Sequence, residues 1–135
     1  MKELNLIASD ETLYTVLDEV REALEKNGAS ENQIIPITIA VEEIYVNIAH
    51  YAYGGKPGEA IVEIDIRQDP KRIWIRFRDR GIPYNPLEKE DPDITLSVEE
   101  RQIGGLGIYM VKNMMDSVSY EYADGQNVFT VEKGF

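Results

Sequence analysis

Between Ala60 and Asp79 the chain alternates apolar and polar residues twice, with Gln68-Asp69-Pro70 separating the two runs. In the first run Val62, Ile64 and Ile66 share one side, and Ile61, Glu63 and Asp65 the other. In the second, Ile73, Ile75 and Phe77 oppose Trp74, Arg76 and Arg78. A period of two marks half-buried strands, and a hairpin with one apolar face requires a layer to cover it. No other feature restricts the fold as strongly.

The rest of the chain supplies both the layer and more strands. Lys2 to Ala8 alternates, with Leu4, Leu6 and Ala8 on one side. Val118 to Tyr122 and Asn127 to Glu132 flank Asp124-Gly125, a hairpin-turn pair. Three stretches have helical spacing instead. Thr12 to Lys26 carries Leu13, Val16, Leu17, Val20 and Leu24, with Ser9 or Asp10 as cap and Asn27-Gly28 as stop. A second helix starts at Ser30, with Gln33 placed for a capping box, bends near Pro36 and runs to about Tyr53 before Gly54-Gly55. The third spans Leu106 to Ser117, with Ile108, Val111 and Met115 apolar. The expected fold is α+β: a two-layer α/β sandwich whose mixed, mostly antiparallel sheet is covered on one face by three helices.

At 135 residues the chain fits a single domain over residues 1–135. The absence of cysteine excludes disulfides, thiolate metal sites and a cysteine nucleophile. A net charge of -11 opposes direct nucleic-acid binding while leaving a basic protein partner favoured. No run approaches the length of a membrane span, and the N-terminus lacks the apolar core of a signal peptide, so a cytoplasmic location is expected. His50, the one histidine, provides neither a metal cluster nor a catalytic triad.

Three stretches carry chemistry. On the second helix Ile37, Val41, Ile44 and Ile48 form the buried stripe, and Glu43 and Asn47, four residues apart, lie together at its edge. A carboxylate there can accept a proton from a nucleophile, and the carboxamide oxygen can ligate Mg²⁺. Asp79-x-Gly81 leaves a strand end with a carboxylate able to accept from an exocyclic amino group such as that of adenine, and a glycine that lets backbone approach a flat base. Gly104-Gly105-Leu106-Gly107 opens the third helix, where free N–H groups and the positive helix end suit phosphates. Between the last two lies Arg80 to Gln102, long, rich in Pro, Asp and Glu, and weakly periodic, which reads as a lid over about 86–103.

In this order and spacing the three stretches resemble the Bergerat-fold (GHKL) ATP-binding superfamily of gyrase and histidine kinases. Within it, the resemblance is to the stand-alone anti-sigma-factor serine/threonine kinases. Glu43-x-x-x-Asn47 is similar to the N box, Asp79-x-Gly81-x-Pro83 to the G1 box and Gly104-Gly105-Leu106-Gly107 to the G2 box, and the ending Tyr120-x5-Gln126-Asn127-Val128-Phe129-Thr130 also resembles this subfamily. The resemblance implies ATP and Mg²⁺ as cofactors, Asn47 as metal ligand, Glu43 as general base, Asp79, Gly81 and Pro83 at the adenine, and the G2 glycines with Leu106 around the phosphates. It implies phosphorylation of a serine on an anti-anti-sigma antagonist, sequestration of a sigma factor, and a homodimer.

The chain also departs from the family pattern. The position four after Asn47 is Tyr51 where many relatives carry His, and Gly104 stands where many have Arg, so phosphate stabilisation would fall to Arg101 or Lys112. A threonine common before the last strand is replaced by Asn127 or displaced to Thr130, which is taken as the nucleotide-binding residue. These gaps leave a second function open, an ATP-gated protein-binding module with little or no phosphotransfer. Tyr51 and Tyr53 are expected to pack, and Trp74 to mark a contact on the outward sheet face.

Overall fold

The computed structural model describes residues 1–88 and 106–135. Its centre is the row Ile73, Ile75 and Phe77 on strand β3 (Arg72–Asp79), all buried. Each such side chain, fully withdrawn from water, contributes roughly 1.5–3 kcal/mol. Around it stand β1 (Lys2–Ile7), β2 (Glu59–Arg67), β4 (Ser117–Ala123) and β5 (Gln126–Gly134), in the order β1-β2-β3-β5-β4. Every pairing is antiparallel, which narrows the expected mixed sheet to a purely antiparallel one among the described residues.

Register follows the alternation. Val62 faces Phe77 and Ile64 faces Ile75 across β2–β3, while Phe129 and Val131 continue those rows on β5. The closing hairpin turns at Asp124 (φ 54) and Gly125 (φ 75), both left-handed, as a two-residue turn of this twist demands. Helices α1 (Leu13–Lys26), α2 (Glu31–Asn47) and α3 (Leu106–Met114) cover the apolar face, with α2 against both of the others. Val16, Val20 and Leu24 of α1 and Ile34, Ile37, Val41 and Ile44 of α2 enter the same core.

Local chemistry fixes the helix ends near the expected places. Ser9 and Thr12 exchange backbone-to-hydroxyl hydrogen bonds of 3.1 Å at the start of α1. Thr12 Oγ1 also donates to the Ile7 carbonyl at 2.8 Å and meets the Tyr45 hydroxyl at 2.7 Å, joining β1, α1 and α2. Gly28 (φ 87) ends α1, with Ala29 N–H bonded back to the Leu24 carbonyl at 3.0 Å. At α2 the Ser30 N–H donates to Gln33 Oε1 at 2.8 Å. Among the described residues, no helix is long and apolar enough to cross a membrane.

The opposite sheet face has an arrangement that alternation alone does not foretell. Glu63, assigned to the outward side, is 3% exposed. Arg78 Nε donates to it at 2.7 Å and Arg76 at 3.1 Å, and these guanidiniums cover it. Together they hold its carboxyl below the ordinary value, although burial pushes the other way. Trp74 lies on the same face, between the guanidiniums of Arg67 and Arg76 at 4.7 and 4.8 Å.

Candidate functional site

Glu43 and Asn47 sit half-buried at the edge of the α2 stripe, one turn apart. Asn47 Nδ2 donates to Glu43 Oε1 at 3.3 Å, which commits the amide nitrogen to the helix and leaves Oδ1 as the atom available to a cation. The first turn of α3 packs directly on Glu43. A Cβ built on Gly107 would stand 1.9 Å from Glu43 Oε1, so only glycine lets the two helices meet here without displacing the carboxylate. Leu106 is the first residue of α3.

After Asn47 the helix widens. Ile48–Ala52 form a π turn, a form enriched at functional sites, where the sequence pattern suggested a continuous α-helix. The turn delivers the Ala52 carbonyl to the chain leaving β3, where it accepts from Ile82 N–H at 2.9 Å. A Cβ on Gly81 would lie 2.2 Å from that same carbonyl oxygen. Close backbone approach thus explains Gly81, with Ala52 as the neighbour. Tyr53 strengthens the junction: its hydroxyl accepts from Arg80 N–H at 2.8 Å and donates to the Glu59 carbonyl.

Asp79 continues the inward row of β3 one step past Phe77, so its carboxylate enters the apolar layer and is 6% exposed. Burial raises its pKa above the ordinary value, against two donors that favour the charged form, Asn127 Nδ2 and the Gly81 N–H, each at 2.9 Å from Oδ1. Asn127 faces Asp79 across β3–β5 and also binds the following loop: its Oδ1 accepts from Tyr84 N–H at 3.1 Å and from the Tyr120 hydroxyl.

The structure therefore forms two groups from the expected residues, Glu43–Asn47–Gly107 and Asp79–Gly81, linked through Ala52. Pro83 is exposed in the loop between Ile82 and Tyr84. Arg101, Gly104 and Gly105 lie outside the described residues, as does most of the expected lid; Pro86–Glu88, at its start, form a 3-10 turn. Thr130 requires correction. It pairs with Arg76 on the outward face, opposite the row of Asp79, because three residues along a strand reverse the side. Asn127 is the β5 residue at the site, and the signal was in the alternation: Asn127, Phe129 and Val131 share the buried row. Tyr53 packs over Gly58, as expected, whereas Tyr51, also expected to pack, is exposed on the π turn; the clamp made by the Tyr53 hydroxyl has no signal in the sequence. His50 faces Asp10 at 2.7 Å, away from both groups.

The family model described as histidine kinase-like ATPase domain matches residues 6–133. The chain belongs to this family. Among curated relatives it is 28% identical over 96 residues to the serine/threonine-protein kinase BtrW of Bordetella bronchiseptica, covering 70% of this chain and 66% of that protein. It is 30% identical over 106 residues to the serine-protein kinase RsbW of Listeria monocytogenes, covering 75% and 66%. The matched stretch thus spans just under two thirds of each relative. Two solved structures share the fold. The RsbU and RsbW domains of Rv1364c from Mycobacterium tuberculosis superpose with a TM-score of 0.65 at 19% identity, over 98% of this chain and 32% of that one. The SiaB–SiaC complex from Pseudomonas aeruginosa gives 0.64 at 17% identity, over 100% and 90%. Membership of an ATPase family implies use of ATP.

Proposed function

We propose that this chain is an ATP-dependent serine-protein kinase that acts as an anti-sigma factor, phosphorylating an anti-anti-sigma antagonist and sequestering a sigma factor. The observation that carries the reading is the Glu43–Asn47 pair seated against the N-terminal turn of α3 through Gly107. In this reading Glu43 would be the base, Asn47 the metal ligand and the start of α3 the phosphate-binding end, side by side. The names of the kinase relatives support the same reading.

The residues fit the implied cofactors. Asp79 presents a buried carboxylate whose Oδ1 is already filled by two donors, leaving Oδ2 for the adenine amino group. Gly81 and Pro83 would border that base and Gly107 the phosphates, a role the family resemblance also gives Gly104, Gly105 and Leu106. Asn47 Oδ1 would hold Mg²⁺. Such an ion would take its remaining ligands from phosphate and water. When bound, Mg·ATP supplies the transferable phosphoryl group with its charge partly neutralised. Glu43 takes the proton from the attacking serine hydroxyl, and its bond from Asn47 keeps its orientation. Arg101 would add positive charge near the phosphates. A homodimer in the cytoplasm completes the reading.

The test is transfer of the γ-phosphate from Mg·ATP to candidate antagonist proteins. Wild type should phosphorylate one of them on serine, and Glu43→Ala should lose transfer while still binding ATP. Asn47→Ala should lose the Mg²⁺ dependence of binding. ATP binding without transfer to any candidate would instead favour the ATP-gated binding module.

A further inference from the structure

The carboxamide of Asn127 uses its whole hydrogen-bonding capacity. Nδ2 donates to Asp79 Oδ1 at 2.9 Å and to the Ile82 carbonyl at 3.0 Å, with the Gly81 carbonyl at 3.4 Å. Oδ1 accepts from Tyr84 N–H at 3.1 Å and from the Tyr120 hydroxyl. Two donor hydrogens and two acceptor positions are all that such a group has. Asn127 is 7% exposed, so it has neither the capacity nor the access to bind a ligand directly. Any effect it has on a nucleotide passes through Asp79 and the loop of residues 81–84.

Both of those routes matter for a base. With Asn127 and the Gly81 N–H on Oδ1, the carboxylate cannot rotate without breaking two bonds, and Oδ2 keeps its direction. The bonds to Gly81, Ile82 and Tyr84 tie the loop after β3 to β5 at the point where the chain turns toward residue 86. We propose that Asn127 is the positioning residue for base recognition, fixing which oxygen of Asp79 meets the exocyclic amino group and holding residues 81–84 in register with it. This rests on the reading that Asp79 contacts adenine.

Other ionisable groups stand around Asp79: the phenols of Tyr53, at the end of the π turn, and Tyr120, on β4, both raised by burial, and the guanidinium of Arg80, which follows Asp79 in the chain. Glu88, in the 3-10 turn, acts on Tyr120, so each variant is compared with wild type at the same pH. Glu59 acts on Tyr53 from β2, but its side chain lies on the other face from Ala60, which pairs with Asp79.

Calorimetric titration with Mg·ATP and Mg·GTP between pH 5 and 8 tests the proposal on wild type, Asn127→Asp, Tyr120→Phe and Asp79→Asn. Asn127→Asp keeps the shape and the acceptor for Tyr84 and Tyr120, but sets a carboxylate oxygen against Asp79. At pH 8 it should bind ATP about ten-fold more weakly or worse, the loss of one hydrogen bond to a charged group. On acidification, one proton shared by the two carboxyls restores a donor, so its affinity relative to wild type at each pH should recover. Tyr120→Phe, which leaves the core shape intact, should weaken ATP binding a few-fold and narrow the preference over GTP. If both variants are folded and match wild type in affinity, selectivity and pH profile, while Asp79→Asn loses ATP, the proposal is wrong and the adenine reading stands. If wild type shows no preference for ATP and Asp79→Asn binds as wild type does, the adenine reading fails and takes the proposal with it.

Discussion

Gly107 and Gly81 are each held to glycine by a neighbour, and the two neighbours differ in stiffness. Beside Gly107 stands the end of the Glu43 side chain, which can rotate away. Beside Gly81 stands the Ala52 backbone carbonyl, which cannot move without moving the π turn. Gly107→Ala should therefore cost little stability but displace the carboxylate proposed as base, cutting phosphotransfer at least ten-fold with an almost unchanged melting temperature. Gly81→Ala should destabilise the fold by about 1–3 kcal/mol, as overpacking does. Urea denaturation of both, beside a transfer assay, separates them. Equal stability losses would mean that Glu43 is as rigidly held as backbone.

Among the elements, α2 carries the most information, and its legibility in the sequence was uneven. The stripe Ile37, Val41, Ile44 and Ile48 and the pair at its edge followed from a 3.6-residue period, because core packing enforces that period along the helix. The π turn at Ile48–Ala52 did not, since one extra residue in a single turn leaves too short a pattern to read. On β5 the alternation was visible, but Thr130 drew attention from Asn127 because its residue type matched a family pattern and its register did not. Burial of Glu63 was illegible for another reason: it depends on two arginines of a neighbouring strand folding over it. The junction after α2 can be probed through Tyr53. Tyr53→Phe removes the bonds to the Arg80 N–H and the Glu59 carbonyl. Because the site is partly open to solvent, about 1–2 kcal/mol should be lost. Hydrogen exchange should show faster opening of residues 80–82 before the rest of the sheet. Unchanged exchange there would mean that the Ile82–Ala52 bond alone holds the junction.

At the scale of the molecule, the sheet carries two buried carboxylates on opposite faces with opposite effects on stability. Glu63 has a folded pKa below its ordinary value, so its contribution is present above about pH 4.3 and is lost as pH falls through the folded value. Asp79 has a folded pKa raised by burial. The native state then binds more protons between about pH 3.9 and the raised value, and stability declines as pH rises through that window. At neutral pH Glu63 therefore stabilises the fold and Asp79 strains it, as a residue kept for binding would. Glu63→Gln should lower stability at pH 7 by about 1–3 kcal/mol, since it leaves two guanidiniums without their shared anion. Asp79→Asn, which retains an oxygen to accept from Asn127 and Gly81, should raise the melting temperature of the nucleotide-free protein at pH 7. Melting curves across pH should bring both variants toward wild type on acidification, one from below and one from above. Parallel curves for Asp79→Asn would show that the carboxyl is no more costly folded than unfolded. Asp79 would then hold no stored destabilisation for the proposed nucleotide to relieve.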